Sequence, residues 1–192
     1  MNNTINMLLV GVGGQGTILA SRIIASVAQS RGMSVKLSEV HGMAQRGGSV
    51  VTYLRMGEKI FSPLIERGQA DIILAFEQLE AWRSLPFLKE EGTVVVNSQV
   101  IYPVPVILGD KKYPPEILSR LKKNTSRVLE VDAPALAQKA GNDRTVNVAL
   151  LGVLAREMEF NKEDWEKALE NIIPEKVLEP NLKAFQYGYG EG

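Results

Sequence analysis

The sequence predicts a three-layer α/β domain with a mostly parallel sheet. Short apolar runs alternate with stretches of helical periodicity, and the first apolar run ends in glycines. Nothing repeats at a fixed period and no low-complexity linker divides the chain, so its 192 residues are expected to form one domain, 1–192, with a full core.

Ile5 to Val10 reads as a first, central strand buried on both faces. Gln15 to Gln29 carries apolar residues at helical spacing, from Ile18 and Leu19 to Val27 and Ala28, and Arg31-Gly32 closes it. Val35 to Val40 and Ser49 to Met56 are the next strands. Gly57-Glu58 predicts an antiparallel hairpin turn into Lys59-Ile60-Phe61. Ala70 to Phe76 is another apolar strand, followed by a helical segment through Glu77 to Leu88.

Thr93 to Asn97 and Val100 to Leu108 are extended candidates, and Pro103 and Pro105 confine the second to an edge or an irregular connection. A helix at Pro115 to Lys123, a strand at Arg127 to Val131 and a helix at Ala133 to Ala140 follow. The C-terminal segment is helical over Thr145 to Glu159 and Lys162 to Asn171, with Pro174 and Pro180 expected to break up the tail.

Composition excludes several classes of chemistry. Lys+Arg and Asp+Glu both total 22, so no basic surplus points to nucleic acid. The absence of cysteine removes disulfides, thiolate nucleophiles and Cys-ligated clusters from this chain. The single histidine, His41, leaves no transition-metal constellation, so no metal site is expected. No run approaches the ~20 apolar residues that span a bilayer, and the N-terminus lacks a basic start, so a cytoplasmic protein without membrane contact is expected.

Two glycine clusters carry the candidate site. In the first, Gly11-Val12-Gly13-Gly14-Gln15-Gly16, the spacing resembles the G-x-G-x-x-G turn between a strand and a helix of a Rossmann-like fold. Gly11 permits the turn, Gly13 lets a ligand approach the backbone, and Gly16 lets helix and strand pack closely. The helix N-terminus behind them suits a phosphate. No Lys-Ser or Lys-Thr follows Gly16, which excludes a P-loop.

The second cluster, His41-Gly42-Met43-Ala44-Gln45-Arg46-Gly47-Gly48, occupies the place where such a fold recognises the rest of its ligand. Arg46 beside two glycines offers an anion pocket, with Gln45 and His41 as neighbours able to hydrogen-bond. The alternative is a loop shaped by glycine whose polar residues stay solvated or meet a partner chain. Glu39, at the end of the second strand, could instead hold the ribose of a dinucleotide. A free-standing NAD(P)-binding oxidoreductase and a purely structural subunit therefore both remain open.

Read together, the clusters resemble the gamma-type subunit of 2-oxoacid:ferredoxin oxidoreductases, and within that family the small beta subunit of the indolepyruvate enzymes. The carrying residues are Val10 to Gly16, Glu39 to Val50 and a third stretch, Thr145-Val146-Asn147-Val148-Ala149-Leu150-Leu151-Gly152. The resemblance implies a subunit, inactive alone, of a complex that oxidatively decarboxylates an arylpyruvate, transfers the acyl group to coenzyme A and passes electrons to ferredoxin. It also implies that thiamine diphosphate and [4Fe-4S] clusters reside in a larger alpha subunit. By position, the coenzyme A cradle would be Gly11, Gly13, Gly14, Gln15 and Gly16, while Gln45, Arg46, Gly47 and Gly48 would face the ligand or the thiamine site. Asn147 would line the same cleft, and Thr145 reads most simply as a helix N-cap. No residue is assigned a catalytic role.

Overall fold

The computed structural model describes residues 4–42 and 47–190. Its centre is a six-stranded sheet in the order β2-β3-β1-β4-β5-β6, with β1 at Ile5–Val12, β2 at Ser34–His41, β3 at Ser49–Gly57, β4 at Ala70–Ala75, β5 at Leu88–Asn97 and β6 at Arg127–Val131. β1, β4, β5 and β6 run parallel, while β3 is antiparallel to both β1 and β2. Met7, Leu8, Leu9 and Val10 of β1 are fully buried, as expected of a strand covered on both faces.

Helices cover the two faces. Against one lie α1 (Thr17–Ser30), α5 (Ala133–Lys139), α6 (Val146–Glu157), α7 (Lys162–Ile172) and α8 (Glu175–Tyr189), around a core that includes Met7, Leu9, Leu54, Leu74, Trp165 and Phe185. Against the other lie α2 (Gln78–Ser84) and α4 (Ile117–Asn124), around Leu8, Val10, Ile73 and Val94. The chain thus forms the three-layer, mostly parallel architecture that its strand–helix alternation predicts. Helix α6 is buried continuously from Asn147 to Ala155, because it packs on β5 and is covered in turn by α8.

Five local expectations are corrected. The hairpin from Gly57-Glu58 into Lys59-Ile60-Phe61 does not form, and residues 58–66 are irregular. β3 is already paired on both edges, by β2 and β1, so a returning strand would have no ladder to join. The antiparallel hairpin is instead β2–β3, and the second glycine cluster is its connection.

The helix after β4 is shorter than the expected Glu77 to Leu88: α2 stops at Ser84, a single 3-10 turn spans Leu85–Phe87, and β5 begins at Leu88. β5 therefore starts five residues before the expected Thr93, with its register against β4 shifting between Ala70 and Ile72. In the stretch 100–108, Val104–Ile107 forms one helical turn, α3, with Pro105 in its first positions, where a missing N–H is harmless. Finally, Pro180 does not break the tail but lies inside α8. Asn181, the next residue, donates through Nδ2 to the Val177 carbonyl at 2.7 Å, a side-chain bond within the helix beside the proline.

Candidate functional site

The C-terminal ends of β1, β4 and β5 and the start of β3 share one end of the sheet, because antiparallel β3 pairs Ser49 with Val12. Helix α1, which follows β1, packs on one face and α2, which follows β4, on the other. β1 and β4 therefore flank a topological switch point, where open α/β sheets place their ligand crevice.

Three sequence motifs meet there. Gly13 N donates to Gly48 O at 2.9 Å, joining the two glycine clusters backbone to backbone. This commits the Gly13 amide to the loop rather than to an incoming ligand. Asn147, from the third motif, donates through Nδ2 to Gly16 O at 3.3 Å. Gly16 is the N-cap of α1 with φ 79° and supplies no side-chain cap, so the first-turn amides from Thr17 onward have no intrahelical partner.

Gln15 is a staple. Its Oε1 accepts from Val12 N at 2.7 Å and its Nε2 donates to Phe76 O at 2.9 Å, tying the first glycine turn to the end of β4. Gly11 is close-packed beneath it, since a Cβ there would lie 2.8 Å from Gln15 Oε1 and 3.0 Å from Phe76 Cβ. Thr145 occupies the N-cap position of α6 but makes no capping bond; its Oγ1 donates to Asn142 O at 2.8 Å.

Two cavities open beside this junction. One, of about 460 Å³, is lined by Gly14 and Gln15, by Gln99 and Ile101, and by Arg144 and Asn147 among others. The other, of about 300 Å³, is lined by Val12, Gly47, Gly48, Ser49, Glu80 and Arg83 together with the proline-rich stretch from Ile101 to Pro105. The segment containing Ile101 separates them. Two larger cavities lie elsewhere, one around Trp82, Lys89 and Thr125 and one along β6 and α8, and neither touches a glycine cluster.

Of the sequence-predicted site residues, Gly14 and Gln15 line the first cavity, and Gly47 and Gly48 the second. Gln45 and Arg46 lie outside the described residues. His41 stands at the end of β2 with its Nε2 3.4 Å from Glu39 Oε2, and neither residue lines either cavity. Glu39 pairs with Thr52 of β3, which pairs with Leu9, so the intervening strand sets it two strand spacings, about 10 Å, from β1. That is not the neighbouring-strand position from which an acid holds the ribose of a dinucleotide.

Arg83, Arg144, Glu77 and Glu80 are functional candidates that the sequence reading missed. Arg144 directly precedes the third motif, which is a usable signal. Glu80 and Arg83 show only an ordinary i, i+3 charge pair, which most often marks a solvated face. Glu77 caps α2 through Oε2, which accepts from Glu80 N at 3.1 Å, while Oε1 accepts from Tyr113 Oη at 2.6 Å and from Ile101 N at 3.3 Å. It is 1% exposed and pins the segment between the cavities.

Burial, followed by the hydrogen bond to Glu77, holds the Tyr113 phenol far above its ordinary value of 10.0. A raised phenol stabilises the fold below the unfolded value, so this contribution is fully present up to about pH 10 and is lost as pH rises further. Tyr113→Phe is expected to lower stability by about 1–3 kcal/mol at neutral pH, because the buried Glu77 carboxylate loses its shortest donor. Urea denaturation at pH 7 measures this, and a variant as stable as the parent would show that the contact is dispensable.

The model of the pyruvate ferredoxin/flavodoxin oxidoreductase family matches residues 6–191. The chain belongs to this family. It is 41% identical over 191 residues to indolepyruvate oxidoreductase subunit IorB of Archaeoglobus fulgidus, covering 97% of this chain and 94% of that protein. It is 40% identical over 189 residues to the subunit of the same description from Methanothermobacter thermautotrophicus, covering 96% of each. Among solved structures, the gamma subunit of a keto/oxoacid ferredoxin oxidoreductase from Geobacter sulfurreducens PCA superposes with a TM-score of 0.72 at 27% identity, over 97% of both chains. The family resemblance read from the three motifs is thereby established, and the Geobacter subunit shares the overall fold described above.

Among the described residues there is no group of three or more His, Asp or Glu that could hold a metal ion, and no helix is long and apolar enough to cross a membrane.

Proposed function

We propose that the chain is a single-domain, non-autonomous subunit of a 2-oxoacid:ferredoxin oxidoreductase acting on indolepyruvate or a related arylpyruvate. The reaction cleaves the bond between the carboxylate and the oxo carbon, releases carbon dioxide, joins the acyl group to the coenzyme A sulfur and delivers the electron pair to ferredoxin. In this reading the chain contributes the coenzyme A side of a cleft completed by a partner subunit that carries thiamine diphosphate and [4Fe-4S] clusters. A chain without cysteine offers no thiolate for such clusters, which fits their residence elsewhere.

The observation that carries the proposal is the convergence of the three motifs, through the Gly13–Gly48 bond and the Asn147–Gly16 contact, beside two cavities each lined by an arginine. Arg144, the uncapped start of α1 and the Gly14 backbone suit the phosphates of coenzyme A. The two-strand separation of Glu39 from β1 argues against the dinucleotide alternative.

The purified chain alone is expected to show no turnover with indolepyruvate, coenzyme A and an electron acceptor, and to support turnover once mixed with its partner subunit. Strong turnover by the chain alone would overturn the proposal. Calorimetric titration separates the alternative, since tight binding of NADH without any response of the assembled complex to coenzyme A would restore the dinucleotide reading.

A further inference from the structure

The smaller cavity, behind the second glycine cluster, is walled in part by a buried polar cluster. Glu80 is 3% exposed, and both of its carboxylate oxygens are engaged: Ser49 Oγ donates to Oε2 at 2.5 Å and Arg83 Nη1 donates to Oε1 at 2.6 Å. Ser49 directly follows Gly47-Gly48, so one carboxylate ties the β2–β3 connection to α2 and holds one edge of the Arg83 guanidinium.

The Arg83 side chain is 51% exposed, and an ordinary exposed ion pair of this spacing would need neither a buried carboxylate nor a second donor. Burying a paired charge is generally no more stabilising than an apolar residue of the same volume. The arrangement does, however, fix a guanidinium that would otherwise sample many rotamers, while leaving its remaining donors unused by Glu80. Among the described residues lining the cavity Arg83 is the one cation, and Val12, Ile101, Pro103 and Val104 supply apolar wall. Such surroundings strengthen a charge-assisted hydrogen bond.

We propose that Arg83 binds an oxyanion of a reactant in this cavity and that Glu80 is its positioning residue. The inference rests on the oxidoreductase reading above. At about 300 Å³ the cavity lies at the small end of ligand sites, fitting an anionic head with a short apolar arm rather than a whole coenzyme. The oxyanion is a carboxylate if it comes from the 2-oxoacid and a phosphate if it comes from coenzyme A.

The test uses the complex reconstituted with its partner subunits, as parent, Arg83→Met, Glu80→Gln and the double variant. KM for indolepyruvate, KM for coenzyme A, kcat and assembly by size-exclusion chromatography are measured for each. Arg83→Met is expected to raise one of the two KM values about ten- to hundredfold with a smaller change in kcat, and which KM rises identifies the source of the oxyanion. Glu80→Gln is expected to raise the same KM severalfold in the parent and to add nothing in the Arg83→Met background, because its effect passes through Arg83.

If both KM values are unchanged in an assembled Arg83→Met complex, Arg83 binds no reactant and the proposal fails. Additive effects of the two substitutions would remove Glu80 from the positioning role. A failure of Arg83→Met to assemble would assign the residue to a subunit interface and also overturn the proposal. Because Arg83 is half-exposed, its variant keeps the test open even if Glu80→Gln fails to fold. Failure of the underlying reading would show separately, as a parent complex indifferent to coenzyme A.

Discussion

Gly188→Ala is expected to destabilise the chain by about 3 kcal/mol or more, an unusually large effect for adding one methyl group. A Cβ at Gly188 would lie 2.0 Å from the Ala149 carbonyl oxygen, and on the facing helix a Cβ at Gly152 would lie 2.1 Å from the Phe185 carbonyl oxygen. α6 and α8 therefore cross in backbone contact, and neither obstacle is a side chain that could rotate away. To admit a methyl group the helices must separate, which loosens contacts made by the fully buried Leu150, Leu154, Ala184 and Phe185. Gly141→Ala is the control, because that glycine has positive φ but no atom near its Cβ position, so only the left-handed backbone cost of about 1–2 kcal/mol applies. Urea denaturation followed by circular dichroism ranks the two. The close-crossing account fails if Gly188→Ala costs less than Gly141→Ala. Gly152→Ala should cost a similar amount, and the double substitution should cost less than the sum, since the first methyl already parts the helices.

That crossing shows what the linear sequence conceals. The apolar stretch from Thr145 to Glu159 is readable as a buried helix, but its partner lies in a tail whose Pro180 argues against a helix. The contact between Gly152 and Gly188 depends on a helix axis passing within backbone distance, and no local pattern encodes that. The strands were legible where both faces are buried, as in β1 and β4, because continuous apolar runs bounded by glycine or polar residues leave few alternatives. The β3 pairing was not legible. A glycine after a strand signals a turn, but whether the chain returns as a strand depends on whether an edge is free, and insertion of β3 between β1 and β2 takes it.

The site divides in the same way. Gly11, Gly14, Gly16 and Gly47 stand out because left-handed turns and close approaches restrict residue type, so backbone geometry leaves a mark on the sequence. Gln15 was singled out as part of a cradle, yet both ends of its amide brace the loop against β1 and β4. Arg83 and Glu80 left no mark because a charge pair at i, i+3 has the same spacing whether it lies on a solvated face or against a cavity. Only the burial of Glu80 and the approach of Ser49 from another strand distinguish the two cases.

Gly16 is where fold and site meet, and its substitution carries the second large expected effect. With φ at 79° it occupies the left-handed region, which costs an alanine about 1–2 kcal/mol. A Cβ there would also lie 2.5 Å from Asn147 Nδ2 and 3.1 Å from Asn147 Cγ. Asn147 is only 5% exposed, so it has little room to retreat, and it moves only by giving up its bond to the Gly16 carbonyl. Because Asn147 lines the larger cavity with Gly14 and Arg144, Gly16→Ala should disturb the proposed coenzyme A cleft as well as stability. The expected result is a loss of about 2–4 kcal/mol, from backbone strain plus overpacking, and a KM for coenzyme A in the reconstituted complex raised more than about tenfold. Asn147→Ala tells strain from collision: it removes the obstructing amide, so the pair should be no less stable than Gly16→Ala alone, although Asn147→Ala by itself loses a hydrogen bond worth about 1 kcal/mol. If the two losses simply add, the collision is not the cause and left-handed backbone strain alone accounts for the cost of Gly16→Ala. If stability falls while KM for coenzyme A stays at the parent value, Gly16 and Asn147 support the fold without shaping the cleft, and the ligand would have to sit nearer the Gly47–Gly48 side of the junction.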